Sequence, residues 1–231
     1  QRKGMVQMHR LSVAIDGPAG AGKSSVARML AAQLGYIYLD TGAMYRAITY
    51  EALRKGLSEK DPKAVSEMAE HMNMKVAEGA QGMEIFLDGN NVTPFLRTEE
   101  VSRHVSPVSA IPRVREILVA VQRKLSEDGG VVLDGRDIGT VVLPGADVKV
   151  FLTASAEERA KRRFRELKGT PEERPFSSIC DNIRRRDAID AGRAVSPLRA
   201  AEDAVLIDNS SMTLEETAEA IAVLCRRVQE A

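Results

Sequence analysis

Short apolar runs alternate with helix-like patterns along most of this chain. Runs of four to six mostly apolar residues predict β-strands at positions 11–16, 36–39, 131–134, 148–152 and 204–208. Apolar residues at helical spacing predict helices at positions 25–34, 43–55, 61–71, 98–104, 112–126, 156–168, 172–189 and 214–228. Strands separated by helices are typical of a sheet covered on both faces, so the predicted fold class is α/β with a five-stranded parallel sheet.

Positions 74–93 follow a different pattern. Met83, Ile85 and Leu87 recur at every second position, which predicts a strand, and the Asp-Gly-Asn-Asn sequence at 88–91 predicts a hairpin turn. We therefore expect a small antiparallel insertion in an otherwise parallel fold.

Composition narrows the possible classes of function. The 231 residues are 44% hydrophobic, which is enough for one large domain with a substantial core. Basic and acidic residues balance at 33 each, so no global field recruits nucleic acid or membrane, and four Tyr and five Phe are few for base stacking. Ten arginines nevertheless fall between positions 157 and 199, where they suit phosphate binding or, more plainly, an exposed helix face.

Several features favour a cytoplasmic protein. Cys180 and Cys225 lack metal-ligand spacing and predict reduced thiols. No apolar run approaches the ~18 residues of a membrane-spanning helix, and residues 1–10 are polar and basic, unlike a signal peptide. Met5 and Met8 are both candidate natural starts, so residues 1 to about 7 need not be native.

The clearest chemical signal is the stretch Gly-Pro-Ala-Gly-Ala-Gly-Lys-Ser at positions 17–24. It fits the phosphate-binding P-loop pattern G-x-x-x-x-G-K-[ST] and lies between a predicted strand and a predicted helix. Its glycines allow backbone conformations in which successive N–H groups point into one concavity. Lys23 can reach the β- and γ-phosphates of ATP, and the Ser24 hydroxyl can hold Mg²⁺. A glycine turn without a ligand is the alternative, and the predicted ATP-binding residues here are Gly17, Pro18, Ala19, Gly20, Ala21, Gly22, Lys23, Ser24 and Ser25.

Charged residues also follow a second predicted strand. Asp134 ends the strand at 131–134, where an acid of the Walker-B type would hold Mg²⁺ directly or through water, although an Asp-Gly pair is also good turn chemistry. Arg136 and Asp137 come next, at the sheet edge where parallel folds bind ligands. A simple salt bridge between these two residues is the alternative interpretation.

Two predicted helices contribute further candidates. Arg46 lies one turn into its helix, where it can reach a second phosphate, and Thr41 can cap that helix. Arg186, Asp190 and Arg193 share one face if their helix continues, whereas an exposed ladder of salt bridges is the alternative. Arginines from several elements exceed the needs of one triphosphate, and they predict two phosphorylated ligands that meet head to head.

With these motifs the chain resembles the P-loop nucleoside monophosphate kinases, and within them the bacterial-type cytidylate kinases. The resemblance runs from about position 11 to 229 and is carried by positions 15–25, 39–46, 111–116, 134–142 and 186–198, of which the last two are the most specific. It implies Mg²⁺-dependent, in-line transfer of the γ-phosphoryl group of ATP to CMP or dCMP, without a strong general base.

The resemblance also implies roles for individual residues. Those implied to act on the transferred phosphoryl group are Lys23, Arg46, Arg136 and Arg186. Those implied to bind CMP are Thr41, Arg46, Ser106, Arg115, Arg136, Asp137, Arg186, Asp190 and Arg193. Arg159 and Arg162 fall in a region implied to form a lid over ATP, and Ser24 and Asp134 are the candidate metal ligands.

Within that set, Ser106, Arg115 and Asp137 are implied to read the base. Arg186 and Asp190 are implied to meet the sugar. Cytosine presents an N4 amino group to a carboxylate, and its O2 and N3 atoms can accept hydrogen bonds from Arg115. Uracil would turn a carbonyl toward Asp137 instead, so we expect CMP and dCMP to be preferred over UMP.

The implied organisation is one P-loop kinase domain over positions 1–231. Its core covers about 9–60, 107–155 and 200–231, an insertion at about 61–106 binds the monophosphate, and about 156–199 forms the lid. The implied partners are small molecules, ATP and CMP or dCMP, without nucleic acid or membrane, and the protein is expected to be a monomer. The alternatives left open are a P-loop kinase for adenylate, shikimate or a sugar acid, and a nucleotide-dependent switch.

Overall fold

A central sheet of five parallel strands organises the molecule. The structure, a computed structural model, describes residues 10–79, 82–170 and 172–230. The strands are β1 Ser12–Asp16, β2 Ile37–Asp40, β6 Val131–Gly135, β7 Val148–Thr153 and β8 Val205–Asp208, in the order β2-β6-β1-β7-β8. The predicted α/β class and the five predicted strands are therefore confirmed, while the candidate starts Met5 and Met8 lie outside the described residues.

Helices cover both faces of this sheet. They are α1 Lys23–Leu34, α2 Thr41–Arg54, α3 Pro62–His71, α4 Glu99–Ser109, α5 Pro112–Leu125, α6 Ala156–Leu167, α7 Phe176–Ala191 and α8 Leu214–Gln229. On one face, Leu30 of α1 and Ile221 of α8 join Ile15 of β1 in a buried cluster. On the other face, Val119 of α5 packs with Leu133 of β6. Within the described ranges, no helix combines the length and apolar character needed to span a membrane.

The expected antiparallel insertion forms a separate three-stranded sheet. It consists of β3 Met74–Gly79, β4 Gly82–Leu87 and β5 Asn90–Asn91, in the order β3-β4-β5. Ile85 and Leu87 are buried in the cluster that includes Ile48 of α2, which explains the alternation seen in the sequence. The insertion is thus attached to the core through the helix that follows β2.

Helix α4 continues past its predicted end at 104 and includes Pro107. A proline inside a helix leaves the carbonyl four residues earlier without its usual donor. Here that carbonyl, of Arg103, accepts a hydrogen bond from Arg185 of α7 at 3.3 Å. The contact therefore replaces the missing helical hydrogen bond and ties α4 to α7.

Helix α7 also differs from its predicted bounds. It begins at Phe176 rather than at 172, because the residue before Pro175 is disfavoured in a helix. It ends at Ala191, next to Gly192, so Arg193 lies just beyond the helix. Asp190 and Arg193 nonetheless remain on the side of α7 that faces the cleft described below.

Candidate active site

The glycine-rich stretch lies at the carboxyl end of β1 and leads directly into α1. Gly17, Gly20 and Gly22 have φ values of 147°, 78° and 85°, a region that L side chains rarely adopt. A Cβ atom on Gly17 would also lie 2.0 Å from the carbonyl oxygen of Leu152. The loop thus needs glycine for its conformation and, at Gly17, for its close approach to β7.

Lys23 and Ser24 are the first two residues of α1. Lys23 is buried, and its Nζ donates to the carbonyl of Pro18 at 2.7 Å. Burial and the nearby Arg136 guanidinium lower the pKa of Lys23 to about 7. The Ser24 hydroxyl donates to Asp134 Oδ2 at 2.8 Å, so the two candidate metal ligands are in direct contact.

Asp134 receives a second hydroxyl that sequence reasoning missed. Tyr38 donates to Asp134 Oδ1 at 2.9 Å, and strands β2 and β6 are neighbours in the sheet. Burial and the Asp40 carboxylate raise the pKa of Asp134 to about 6. A tyrosine in a predicted strand gave no signal of this contact, because only the pairing of β2 with β6 brings the two side chains together.

The residues around Ser24 and Asp134 fit a magnesium ion. They offer a hydroxyl and a carboxylate, the oxygen ligands that Mg²⁺ prefers. Within the described part of the chain, no group of three or more His, Cys, Asp or Glu residues could hold a metal ion by itself. Substrate phosphate oxygens would therefore complete the coordination, as is usual for Mg²⁺ at nucleotide sites.

A cavity of about 250 Å³ opens beside this loop. Its lining includes the loop residues from Ala19 to Ser25 except Ala21, together with Arg46, Arg136, Arg162 and Arg186. Burial and neighbouring guanidinium groups lower the pKa of Arg46 to about 9 and that of Arg186 to about 10. Partly buried guanidinium groups whose pKa values are lowered by neighbouring cations favour an anionic ligand, since an anion would offset that repulsion.

Sequence reasoning missed some of the arginines in this cavity. The additional lining arginines are Arg97, Arg163 and Arg174. Arg97 donates to Asp40 Oδ2 at 3.0 Å, and the Arg174 guanidinium lies 3.6 Å from Glu99 Oε1. Arg97 and Arg174 lie in connecting segments and Arg163 in α6, so their convergence on one cavity became apparent only in the folded chain.

The two candidate lid arginines, Arg159 and Arg162, differ in how they contact the glycine-rich loop and its cavity. Arg159 is not among the residues that line the larger cavity; it donates to the carbonyl of Ala19 at 2.9 Å and is paired with Asp187 at 2.8 Å. Arg162 does line the cavity and is held by Asn209. Arg159 therefore braces the outside of the glycine-rich loop, whereas Arg162 is placed to face a ligand.

A second, smaller cavity of about 60 Å³ adjoins the first. The predicted residues that line it are Thr41, Arg46, Ser106, Arg115, Arg136, Asp137, Arg186, Asp190 and Arg193. Three of the predicted arginines, Arg46, Arg136 and Arg186, line both cavities. They therefore lie at the junction, between the glycine-rich loop and the second cavity.

The smaller cavity is built from buried ion pairs. Arg115 donates to Asp137, while Asp190 accepts from both Arg136, at 2.8 Å, and Arg193. The alternative of a salt bridge between Arg136 and Asp137 is thus wrong, because each has a different partner. Asp190 is 1% exposed, so the alternative of an exposed ladder on α7 is also wrong.

Thr41 occupies a different role from the cap that we expected. Asp40 caps α2 by accepting from the backbone N–H of Ala43 at 2.8 Å, and Thr41 donates to the carbonyl of Asp134 at 2.7 Å. Aspartate precedes the helix by one residue and can reach this N–H group. Thr41 instead connects β6 to the start of α2, next to the smaller cavity.

A buried carboxylate that sequence reasoning missed positions the segment after β6. Asp16 accepts from the backbone N–H groups of Ile138 and Gly139, both at 2.8 Å, at the start of a π-helical turn Ile138–Val142. Burial raises the pKa of Asp16 to about 6. This contact holds the turn against β1 and so sets the position of Asp137, which immediately precedes the turn.

A family model and several known proteins match most of this chain in sequence. A model of the cytidylate kinase family matches residues 13–227. The chain is 50% identical over 206 residues to a cytidylate kinase of Carboxydothermus hydrogenoformans, which covers 89% of this chain and 93% of that protein. It is 48% identical over 223 residues to a cytidylate kinase of Caldicellulosiruptor bescii, with coverages of 96% and 98%. Over 212 residues it is 48% identical to the cytidylate kinase of Bacillus subtilis, with coverages of 92% and 95%.

Proposed function

Because this chain belongs to the cytidylate kinase family and is a nucleoside monophosphate kinase, we propose that it transfers the γ-phosphoryl group of ATP to CMP or dCMP. The products would be ADP and CDP or dCDP. We also propose ATP as the donor, Mg²⁺ as the metal ion and cytosine as the preferred base.

One observation carries the proposal. The glycine-rich loop with Lys23 lines one cavity, the Arg115–Asp137 pair lines the other, and Arg46, Arg136 and Arg186 line both. A phosphoryl group passing between two nucleotides would develop charge at this junction, where three guanidinium groups are already held. A site for a single triphosphate would not need the second cavity.

The smaller cavity supports recognition of cytosine. The hydrogen bond from Arg115 uses Asp137 Oδ2, and in the described residues no hydrogen bond is assigned to Oδ1. We propose that Oδ1 accepts from the N4 amino group and that the guanidinium of Arg115 donates to O2 or N3. The pair would then act as one unit, with Arg115 fixing the orientation of the carboxylate.

The acceptor chemistry explains why no general base is required. The phosphate of a nucleoside monophosphate is already mostly ionised at neutral pH, since its second pKa is about 6. Lys23 would bind the phosphoryl group from the donor side, and Arg46, Arg136 and Arg186 would bind it from the acceptor side. Mg²⁺ held near Ser24 and Asp134 would neutralise charge on the β- and γ-phosphates.

We further propose that the insertion at about 61–106 and the segment at about 156–199 close over the two nucleotides. Contacts already join them, because Arg185 of α7 donates to the carbonyl of Arg103 in α4. Closure would exclude water, which could otherwise hydrolyse ATP. Scattering profiles that do not change when both nucleotides are added would contradict this part of the proposal.

A cytoplasmic, monomeric enzyme completes the proposal. Its substrates are small nucleotides, and Cys180 and Cys225 are free thiols, in keeping with a reducing compartment. Equilibrium sedimentation would test the proposed monomer.

An acceptor panel tests the function directly. ADP release from ATP would be measured with CMP, dCMP, UMP, AMP and shikimate, and without any acceptor. We expect turnover with CMP and dCMP, and a kcat/KM for UMP lower by about tenfold or more, because a carbonyl would face Asp137. Equal kcat/KM values for CMP and UMP would contradict the base assignment, and ADP release without an acceptor would favour a nucleotide-dependent switch.

A further inference from the structure

Seven buried side-chain polar atoms lack a hydrogen-bond partner in the described residues, and three of them belong to residues of the smaller cavity. Among the described residues, the hydroxyl of Tyr45, Nε of Arg115 and Nε of Arg193 are buried and have no hydrogen-bond partner. All three residues line this cavity. Buried polar groups are normally hydrogen-bonded, because leaving one unpaired costs free energy. Their position at one cavity indicates that a ligand supplies the missing partners.

Tyr45 is the member of this group to which the sequence assigned no role. It lies on α2 directly before Arg46 and is 8% exposed. The guanidinium of Arg115 lies over its ring, 5.3 Å from the ring centroid, in a cation–π arrangement. The ring therefore supports one of the two side chains that are proposed to read the base.

The hydroxyl of Tyr45 is a hydrogen-bond donor at neutral pH. Burial raises the pKa of Tyr45 to about 12, with further influence from the charges of Arg115 and Asp137. The protonated hydroxyl is thus within electrostatic range of the base-reading pair. A neutral donor in this position suits a carbonyl or hydroxyl of a nucleoside better than a phosphate, which the arginines already serve.

We propose that Tyr45 is a ligand-binding residue of the acceptor site, and that its hydroxyl forms a hydrogen bond with the nucleoside of bound CMP or dCMP. This inference rests on the proposed function and adds a residue to it. Ring and hydroxyl have separate effects: the ring holds Arg115, and the hydroxyl contributes to ligand binding rather than to folding.

The substitution Tyr45→Phe separates these effects, since it keeps the ring and removes the hydroxyl. We expect the KM for CMP, and the Kd for CMP alone by calorimetry, to rise about five- to tenfold. The KM for ATP should stay within about twofold. The melting temperature of the protein without nucleotides should be equal or higher, because an unpaired buried polar group has been removed.

Tyr50→Phe is the matched control. It makes the same chemical change on the same helix, where the Tyr50 ring stacks on Phe95 at 5.2 Å, and Tyr50 is not among the lining residues of either cavity. We expect its KM for CMP to equal that of the unsubstituted protein.

Two results would overturn the inference. The first is a Kd for CMP in the Tyr45→Phe protein within about twofold of the unsubstituted value. The second is a melting temperature clearly below that of the Tyr50→Phe control, which would assign the hydroxyl to folding. If the unsubstituted protein neither binds nor phosphorylates CMP, the proposed function and this inference are overturned together.

Discussion

The proposed donor side of the cleft, around the glycine-rich loop, and the proposed acceptor side, at the smaller cavity, are built in different ways. On the donor side, consecutive residues form a loop whose shape depends on glycine backbone conformations, with Lys23 as its cation. On the acceptor side, side chains from α2, α4, α5, α7 and the segment after β6 meet in one cavity. Many of these are paired with one another, as Arg115 is with Asp137.

This difference has a consequence for the effect of substitutions. The glycine-rich loop itself contains one cation, Lys23, and should lose its main interaction with a phosphate when that residue changes. A network of ion pairs distributes its charge over several groups, so the loss of one should weaken binding or change specificity by degrees. The four predictions that follow test this contrast, from the largest expected effect to the smallest.

Replacing Lys23 by alanine should have the largest effect. Its buried ammonium is the donor-side cation closest to the glycine-rich loop, where Nζ lies 2.7 Å from the carbonyl of Pro18. We expect kcat to fall about a thousandfold, because charge on the transferred group would lose its donor-side partner. The Kd for CMP, measured by calorimetry, should change little. A kcat within about tenfold of that of the unsubstituted protein would contradict the expected dependence of the donor side on Lys23.

Replacing Asp190 by asparagine should have an intermediate effect. Although burial opposes it, Arg136 and Arg193 hold the pKa of Asp190 below its ordinary value. Removing the charge frees both guanidinium groups, so we expect kcat/KM for CMP to fall about 10- to 100-fold with little change in the KM for ATP. Steady-state kinetics with each substrate varied in turn would measure this. A loss of activity as large as that of the Lys23 variant would contradict the expected difference between the two sides of the cleft.

The matched control for this variant is Asp203→Asn. Asp203 is paired with Lys149 at 2.7 Å, but its side chain is 65% exposed. Asp203 lines neither cavity, so activity should be unchanged.

Replacing Tyr38 by phenylalanine should have a smaller effect, on the donor side. Asp134 would lose one of its two hydroxyl donors, and its pKa, already about 6 through burial and Asp40, would rise further. We expect the Mg²⁺ concentration for half-maximal activity at pH 7 to increase about two- to tenfold, and to recover at higher pH as Asp134 ionises. Binding of Mn²⁺ together with ATP, followed by electron paramagnetic resonance, gives a second measurement.

Tyr36→Phe is the control for the Tyr38 variant. The Tyr36 hydroxyl accepts from the backbone N–H of Leu11 at 3.1 Å and is not bonded to Asp134. Equal metal dependence in the two variants would show that Tyr38 has no particular effect on Asp134.

Proton uptake when ATP binds should be the smallest of the four effects. With a pKa of about 7, Lys23 is mostly neutral at pH 8. A bound triphosphate favours the charged form, so ATP binding at pH 8 should take up close to one proton, and binding at pH 6 should take up almost none. Calorimetry in buffers with different ionisation enthalpies measures this. A Lys23→Met protein with the same uptake at pH 8 would assign the proton to another group.

Strands and helices could be predicted where their residue pattern is visible along the chain. The strand Val131–Gly135, for example, is buried on both faces and therefore appears in the sequence as a short apolar run. The end of α4 was not predictable, because a proline usually indicates a helix boundary, whereas here the carbonyl left free by Pro107 accepts a hydrogen bond from Arg185 of a distant helix. The pairing of β3 with β4 was equally hidden, since it depends on contacts between segments rather than on either segment alone.

The candidate site likewise has one part that could be predicted from the sequence and one part that could not. The sequence by itself determined the donor side, because Gly17 to Ser24 are neighbours along the chain and their backbone conformation follows from residue type. It also indicated some of the arginines that converge near the ends of the strands, namely Arg46, Arg136 and Arg186. Only the tertiary structure decided their partners: Arg115 with Asp137, Arg136 with Asp190, and the hydroxyl of Tyr38 with Asp134. Side-chain pairing across elements depends on distances set by packing, and a linear pattern does not contain those distances.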